Sequence, residues 1–311
     1  MNHHMRADLH AHTHCSDGAL SPAQLCRSAR NRGLTHLAIC DHDTVAAYDA
    51  LDAEAIPSGL TVVPGIEVST YLAGGEVHIL GLGVDLAHPR LRRTVGNLIR
   101  RRSERMAGMF DKLVELGCFR RLGEEGRESL RAKLAERPRI NEDLPPGSLG
   151  ASACRMHLVA ALLHSGDCQS AGEAFGRYIG NSGAAYIPYP RYPGDEAIEM
   201  IREAGGVPIL AHPGLYKERW DKAIREAAGA GAAGVEVNHP KQKPAQRERI
   251  AALAAEVGLT LQSGGSDFHT FDSPLAKRFG RELTPVEHLT ALFAEMTCPQ
   301  YTPGTAPSRA R

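Results

Sequence analysis

Short apolar runs recur along this 311-residue chain, and each is associated with histidine, aspartate or glutamate. Runs of this kind, closed by glycine, proline or aspartate, are typical of buried strands in a parallel sheet. The runs and their polar residues are 37–40 with Asp41 and His42, 60–66 with Glu67, 76–83 with His78, 207–211 with His212, and 259–265 with Asp267 and His269. In α/β barrels the carboxyl ends of the strands meet at one mouth, so we expect these side chains to converge there.

The N-terminal segment 8–18 reads D-L-H-A-H-T-H-C-S-D-G and places His10 two residues before His12. In a strand, positions i and i+2 face the same side, so both imidazoles would point to one place. Imidazoles beside carboxylates are suitable ligands for manganese, iron or zinc. A lone histidine is more often structural than a ligand, but ligand-type clusters at several strand ends favour a metal centre.

Composition describes a soluble globular protein with no excess of either charge. Lys and Arg together number 36, as do Asp and Glu, so the net charge of the chain does not indicate binding to nucleic acid or membranes. The chain is long enough for one large barrel-like domain or for two ordinary ones. It contains neither an apolar stretch of membrane-spanning length nor a signal-peptide core, so we expect a cytoplasmic protein. The sequence indicates no obligate protein partner.

The 7 cysteines are scattered along the chain and form no C-x-x-C pair. Neither a disulfide framework nor a zinc ribbon is therefore indicated. Cys26 and Cys40 are predicted to be small core residues.

Strand and helix patterns alternate from residue 7 to about residue 83, and again over 195–262. Ser21 and Pro22 form a good helix start, and Gly33 is placed to cap the end of that helix. Between the two stretches, apolar residues recur at helical spacing among arginines and glutamates. These apolar residues are Val95, Leu98, Ile99, Met106, Met109, Phe110, Leu113 and Leu116.

This pattern divides the chain into a discontinuous α/β barrel and a helical insertion. The barrel comprises residues 5–85 and 186–300, and the insertion comprises residues 86–185. Residues 301–311 are rich in proline, serine, alanine and arginine and are predicted to be a disordered tail. We expect the insertion to cap the substrate site.

These motifs, in this order, resemble those of the PHP family, named for polymerase and histidinol phosphatase domains. The family pattern is D-x-H-x-H-T, D-H-D, G-x-E, a lone histidine, A-H-P and S-D-x-H, and every part is present here. The family fold, which the resemblance implies here, is a distorted (β/α)₇ barrel, an α/β fold.

The insertion is similar to one branch of that family, which contains phosphatases of nucleoside 3′,5′-bisphosphates and the exoribonuclease RNase AM. Residues 175–180 read F-G-R-Y-I-G and residues 185–188 read A-Y-I-P, close to the branch patterns F-x-R-Y-L-G and A-Y-V-P. Residues 155–157 read R-M-H where the branch has R-P-H.

The resemblance implies two to three bound divalent ions, with Mn²⁺ the first choice and Fe²⁺ or Zn²⁺ as alternatives. The implied ligands are His10, His12, Glu67 and Asp267 for the first ion, Glu67 as a bridge with His78 and His212 for the second, and Asp17, His42 and His269 for the third. In many family members the position of Asp17 carries a different ligand. Asp267, Glu67 and His212 would contribute to catalysis through the water that the metals activate.

Several polar residues near these ligands have more than one possible role. Asp8 and Asp41 are expected to orient the imidazoles or to act as occasional ligands. Asp43 is expected to cap the turn after its strand. Glu236 and His239 lie at the end of another strand, outside the ligand set, where Glu236 would orient its neighbours.

The predicted reaction is hydrolysis of a phosphate monoester by activated water, which needs no side-chain nucleophile. Arg155 is expected to bind phosphate through its guanidinium, with His157 beside it, and a packed core position is the alternative for His157. The predicted substrate is a small nucleotide, with the 5′-phosphate of nucleoside 3′,5′-bisphosphates preferred. Activity on the 5′ end of short RNA would extend the same chemistry.

Three other functions stay open from the sequence. They are histidinol-phosphate phosphatase, a non-catalytic or proofreading module for a polymerase, and metal-assisted hydrolysis of a carbon–nitrogen bond. The complete ligand set argues against an inert module, and the chain has no polymerase-sized extension. Histidinol-phosphate phosphatases share the metal ligands but not the insertion.

Overall fold

Seven strands lie in the sheet in the order in which they occur in the chain. A computed structural model describes residues 5–135, 149–189 and 191–297. The strands are β1 (Ala7–Ala11), β2 (His36–Ile39), β3 (Thr61–Leu72), β4 (Gly75–Leu82), β5 (Val207–Leu210), β6 (Gly234–Asn238) and β7 (Leu261–Gly264). The apolar runs of the sequence therefore form the strands, as their composition predicts.

Hydrogen bonds next to β7 bring the sheet round to β1 and nearly close it. The backbone N–H of Asp267 donates to the carbonyl of His10 at 2.8 Å, and the backbone N–H of His12 donates to the carbonyl of Phe268 at 2.9 Å. Gly265 permits this approach, because a Cβ there would lie 2.2 Å from the Cβ of His10. The fold class is confirmed: the chain forms a distorted seven-stranded α/β barrel.

The prediction that every run forms a parallel strand is wrong for the centre of the sheet. β3 pairs with β4 in antiparallel register, and β4 pairs with β5 in the same way. The cause is the hairpin at Ala73 and Gly74, both of which have positive φ and reverse the chain directly. Buried parallel and antiparallel strands have similar apolar composition, so the runs alone do not distinguish them.

The helices lie between the strands, in the long segment between β4 and β5, or after β7. They are α1 (Pro22–Asn31), α2 (Ala46–Ala50), α3 (Pro89–Glu115), α4 (Gly123–Ala135), α5 (Arg155–His164), α6 (Ala171–Ala174), α7 (Gly194–Glu203), α8 (Trp220–Gly229), α9 (Pro244–Glu256) and α10 (Val286–Glu295). The predicted start of α1 is confirmed, because Ser21 and Gln24 form a reciprocal capping box. Gly33 follows the helix with a φ of 75°.

The long helix α3 connects two hydrophobic clusters. Its first half, including Leu91 and Leu98, packs into the barrel core. Its second half, including Met106 and Phe110, packs into a cluster drawn from residues 106–134 and 153–187. Leu116, which the helical pattern places with the apolar face, ends the helix and is 48% exposed instead.

Two smaller predictions concern the cysteines and the tail. Cys26 and Cys40 are both fully buried, so the prediction that they are core residues is confirmed. The predicted tail, 301–311, lies outside the described residues.

Candidate metal centre

Glu67 lies at the middle of the barrel mouth and is fully buried. Its Oε1 is 2.8 Å from Nδ1 of His78 and 2.9 Å from Nε2 of His212. Its Oε2 faces three further imidazole nitrogens: His42 Nδ1 at 2.9 Å, His10 Nε2 at 3.3 Å and His12 Nε2 at 3.4 Å. Each oxygen thus faces a different group of histidines, which is the arrangement that a bridging carboxylate requires.

Asp267 lies beside the same histidines from the end of β7. Its Oδ1 is 3.2 Å from Nε2 of His12, 3.7 Å from Nε2 of His10 and 3.6 Å from Nδ1 of His269. The structure therefore brings together all the residues predicted for the first ion, with Glu67 and Asp267 as their carboxylates.

Asp17 and His269 form the outer part of the cluster. Nε2 of His269 is 3.2 Å from Oδ1 of Asp17, and Nε2 of His42 is 4.0 Å from the same oxygen. His12 also lies within reach, because one ligand atom from each of these residues lies within 4.8 Å of the others. The residues predicted for the third ion therefore lie together, next to those predicted for the first.

Several of the possible ligand atoms at the mouth are buried and lack hydrogen-bond partners. Among the described residues, such atoms include His10 Nε2, His12 Nε2, Asp17 Oδ1, His42 Nδ1 and Glu67 Oε2. Buried polar atoms without partners are costly unless something else satisfies them. Nitrogen and carboxylate lone pairs that converge in this way fit one or more divalent cations, so these residues could hold metal ions.

The backbone is strained at two of the predicted ligands. His212 has a φ of 26° and Asp267 a φ of 50°, values that residues other than glycine rarely adopt. Such strain persists only where surrounding contacts hold it, and it concentrates at functional sites.

The charges at the mouth alter the pKa values of its members in opposite directions. Burial opposes ionisation of Glu67, but the imidazoles of His42 and His78 hold the pKa of its carboxyl well below the usual range. Burial also opposes protonation of His78, yet the Glu67 carboxylate raises the pKa of that imidazole to about 10. Burial lowers the pKa of His12 to about 3, and the neighbouring His269 adds to the effect. The metal-free cluster therefore holds protons on some histidines and excludes them from others.

Asp8 and Asp41 lie behind the ligands rather than among them. Asp41 accepts hydrogen bonds from the backbone N–H of Thr13 at 2.7 Å and from the hydroxyl of Ser16 at 2.5 Å. Asp8 accepts the backbone N–H of Ser266 at 2.9 Å. Both carboxylates therefore hold the loops that carry the predicted ligands, through backbone and hydroxyl groups, and their role in orienting the imidazoles stays a prediction.

Asp43 does not cap a local turn, contrary to the sequence interpretation. Its Oδ1 accepts the backbone N–H of Ser69 at 2.7 Å, and its Oδ2 accepts from Arg102 Nε at 2.5 Å and from the Tyr189 hydroxyl at 2.7 Å. Its partners are thus distant in sequence, and the pattern of a polar residue after a strand does not reveal them.

A cavity of about 660 Å³ opens beside the cluster, and His78 and His212 form part of its wall. The rest of the wall includes two carboxylates, Glu76 and Glu218, but basic residues and tyrosines are more numerous in it. The basic residues and tyrosines are Arg155, Arg191, Lys217, Arg219, Tyr71, Tyr186, Tyr189 and Tyr216. Guanidinium and ammonium groups around a pocket favour an anionic ligand, and aromatic rings offer faces for stacking.

Arg155 lines this cavity from the start of α5. Its Nη1 donates to the side chain of Asn181 at 3.1 Å, and its guanidinium lies 5.4 Å from the centre of the Phe175 ring. His157 has a different contact, because its Nδ1 accepts the backbone N–H of Cys154 at 2.9 Å and so satisfies the start of α5. Of the two predicted substrate contacts, Arg155 is therefore the one found in the cavity wall.

The sequence interpretation missed three charged residues close to the ligands. Glu76 Oε1 lies 3.5 Å from Nε2 of His78, and Lys241 Nζ lies 3.6 Å from Oδ2 of Asp267. Arg102 is buried beneath the loop that follows His42. The position of Glu76 two residues before His78 in a strand is a signal that side-chain alternation could have revealed.

An α/β barrel whose mouth collects histidine and carboxylate donors beside a basic cavity is the architecture of a metal-dependent hydrolase of anionic substrates. The model of the PHP domain matches residues 8–117. The chain belongs to the PHP family and is a metal-dependent phosphoesterase.

Several characterised proteins are similar over most of their length. The 5′-3′ exoribonuclease Rnm of Escherichia coli is 32% identical over 84% of this chain and 84% of its own. A phosphoribosyl 1,2-cyclic phosphate 1,2-diphosphodiesterase of Eggerthella lenta is 33% identical over 85% of this chain and 94% of its own. A 3′,5′-nucleoside bisphosphate phosphatase of Chromobacterium violaceum is 29% identical over 84% and 86%.

A solved structure of similar fold comes from Bifidobacterium adolescentis and is assigned as a metal-dependent phosphoesterase. It is 28% identical, covers 94% of this chain and 97% of its own, and has a TM-score of 0.75. Within the described part of this chain, no helix is both long enough and apolar enough to cross a membrane.

Proposed function

We propose that this protein removes the 5′-phosphate of nucleoside 3′,5′-bisphosphates and acts in the same way on the 5′ end of short RNA. The observation that supports this substrate is the position of Arg155, in the wall of a cavity that begins at His78 and His212. The cavity thus has predicted metal ligands in one part of its wall and a guanidinium in another. A substrate with two phosphates uses both.

The residues that would hold divalent ions are those gathered at the barrel mouth. They are His10, His12, Glu67 and Asp267 for the first ion, Glu67, His78 and His212 for the second, and Asp17, His42 and His269 for the third. Bound divalent ions, with Mn²⁺ the proposed native metal, supply activated water and neutralise phosphate charge. Glu67, Asp267 and His212 act in catalysis by holding those ions.

The chain's own residues bind and orient the substrate. Arg155 carries two N–H groups side by side, which suit the paired oxygens of a phosphate. Asn181 accepts from Nη1 of Arg155 and limits the directions that the guanidinium can take. Arg155 therefore binds the distal 3′-phosphate, while the 5′-phosphate lies at the His78 end of the cavity.

The helical segment, residues 86–185, supplies this specificity by capping the barrel, 5–85 and 186–300. Arg155 and Asn181 both belong to the segment and both line the cavity. The 5′-3′ exoribonucleases and the 3′,5′-nucleoside bisphosphate phosphatase among its relatives favour a substrate of this class.

Phosphate release from a set of substrates tests the proposal. The set comprises adenosine 3′,5′-bisphosphate, AMP, histidinol phosphate, a cyclic phosphodiester of ribose and a short 5′-phosphorylated RNA, each assayed with Mn²⁺. The highest kcat/KM is expected for the bisphosphate, with a measurable rate on the RNA. A preference for histidinol phosphate or for the cyclic diester would overturn the proposed substrate.

A further inference from the structure

Every strand of the barrel except β6 carries a predicted metal ligand within it or shortly after it. One polar residue of β6 and one just after it nevertheless contact residues of the mouth. Glu236 within the strand and His239 just after it are both fully buried. Buried charged groups are rare unless they are paired, so the Glu236 carboxylate is expected to have buried partners.

The two carboxylate oxygens of Glu236 contact two different predicted ligands. Oε1 lies 3.1 Å from Nδ1 of His10, on β1. Oε2 accepts the backbone N–H of His212 at 2.9 Å, just beyond β5. One buried side chain on a strand without ligands therefore joins a residue predicted for the first ion to a residue predicted for the second.

The contact with His10 decides which ring nitrogen is free. An ionised carboxylate can only accept hydrogen bonds, so Nδ1 of His10 carries the proton in this contact. A metal ion then binds at Nε2, which lies 3.3 Å from Oε2 of Glu67. A hydrogen bond of this kind sets the tautomer and the ring direction of a metal-binding histidine.

The contact with His212 supports a strained backbone. His212 has a φ of 26° and a ψ of 55°, and this conformation directs its Nε2 to Oε1 of Glu67 at 2.9 Å. The hydrogen bond from its N–H to Glu236 is one of the contacts that can offset the strain.

We propose that Glu236 is a positioning residue that prepares His10 and His212 together for metal binding. The inference rests on the proposed function, since it takes these two histidines to be ligands. Glu236 acts without touching the metals or the substrate. Its loss therefore weakens the first and second ions together, rather than one of them alone.

Glutamine cannot replace glutamate in this role, although it has nearly the same shape. If the amide oxygen accepts from His212, the NH₂ group faces Nδ1 of His10 and favours the tautomer with the proton on Nε2. If the amide is reversed, its NH₂ group faces the N–H of His212 and two donors oppose each other. Either orientation disturbs one of the two histidines.

The test is a Co²⁺ titration of the metal-free protein, followed by visible absorption and elemental analysis. Glu236→Gln is expected to bind the two inner ions about 10- to 100-fold more weakly than the wild type. Asp167→Asn is a matched control, because Asp167 also accepts two hydrogen bonds, from the Phe119 N–H and the Ser165 hydroxyl, but lies in the helical segment. The control is expected to titrate like the wild type. Unchanged affinity and stoichiometry in Glu236→Gln would overturn the inference.

Circular dichroism shows whether Glu236→Gln folds. If it does not, a measurement on the wild-type protein tests the same inference. In ¹⁵N-imidazole NMR of the Zn²⁺-loaded protein, the His10 ring is expected to carry its proton on Nδ1. Assignment follows from the signal lost in His10→Gln. A His10 ring with no proton on Nδ1 would overturn the role of Glu236, whereas a wild type that binds no metal would overturn the proposed metal centre itself.

Discussion

Arg102 donates from Nε to Oδ2 of Asp43 at 2.5 Å, and both side chains are buried. This ion pair joins α3 to the residue that directly follows His42. Nη2 of Arg102 also donates to the hydroxyl of Ser69 at 2.7 Å, and the Tyr189 hydroxyl donates to the same oxygen of Asp43 at 2.7 Å. Helix α3 and the loop that follows His42 are thereby connected by an ion pair and not only by apolar packing.

Replacing Arg102 by methionine is expected to destabilise the protein strongly. The change leaves the Asp43 carboxylate buried without its cation, and breaking a buried pair in this way costs about 3–5 kcal/mol. Urea unfolding measures the loss. Arg100→Met is the control, because Arg100 is 60% exposed and pairs with Glu104 on the helix surface, where a pair contributes about 0.3–0.5 kcal/mol. Losses of similar size in the two variants would contradict the account.

Replacing Glu67 by glutamine is expected to lower metal content at more than one position. Its two oxygens face different histidines, His78 and His212 on one side and His42 on the other, so a single change affects both groups.

His12→Ala and Asp267→Ala are expected to abolish turnover while the fold is retained. Elemental analysis, circular dichroism and phosphate release provide the measurements. Near-normal activity of His12→Ala with normal metal content would show that the first ion is wrongly assigned.

The third ion is expected to leave first during mild chelation. The side chains of Asp17, His42 and His269 are 10%, 14% and 26% exposed, so none of the three is fully buried. His78 and Asp267 are also partly exposed, at 19% and 10%, but both inner ions share Glu67, which is fully buried. Solvent therefore reaches the outer group more easily. Elemental analysis during stepwise chelation should show a plateau before the inner ions are lost. A fall from full loading to none without a plateau would count against the prediction.

The metal-free protein is expected to lose stability as the pH rises from about 6.5 toward about 10. Despite burial, the pKa of His78 is raised to about 10 by Glu67, and that of His269 is raised to about 10 by Asp17. A raised histidine pKa stabilises the fold fully below the unfolded value of about 6.5, and this stabilisation is lost as the pH passes through the folded value. Urea midpoints of the metal-free protein across this range should fall.

The metal-loaded protein is the control for that pH series. It contains the same cysteines and other titratable groups, but metal replaces the protons on the ligand histidines. Its stability should change less over the same range. Parallel pH curves for the two forms would show that the histidines are not the source of the effect.

Strand alternation and strand ends predicted which side chains would gather at the barrel mouth, while their assignment as metal ligands comes from the family resemblance. His10 and His12 face one point because they are two residues apart at β1. Asp267 and His269 come shortly after β7, and the carboxyl ends of barrel strands open on the mouth. The antiparallel pairing of β3 with β4 was not predictable from apolar runs, since it depends on the short hairpin at Ala73 and Gly74.

The supporting contacts could not be predicted, because each joins residues that are far apart in the chain. Asp43 was expected to cap a turn, yet it pairs with Arg102 on α3. Glu236 contacts His10 across more than 200 residues, and no local pattern links the two. Residue type and spacing therefore indicate which groups can bind a metal, while the contacts that orient these groups depend on how the strands are arranged.

If Arg155 binds the distal phosphate of a bisphosphate in the cavity, its loss should affect two substrates unequally. Losing a charged contact to phosphate costs about 1.5–3 kcal/mol, or roughly ten- to a hundredfold in binding. Arg177→Ala is the control, because Arg177 lies on the same helical segment but is 62% exposed and pairs with Glu173.

The measurement is kcat/KM for adenosine 3′,5′-bisphosphate and for AMP, in the wild type, Arg155→Ala and Arg177→Ala. The account predicts that Arg155→Ala loses about ten- to a hundredfold on the bisphosphate and little on AMP, with Arg177→Ala unchanged on both. Equal losses on the two substrates in Arg155→Ala would contradict it, because Arg155 would then contact the reacting phosphate or only support the fold.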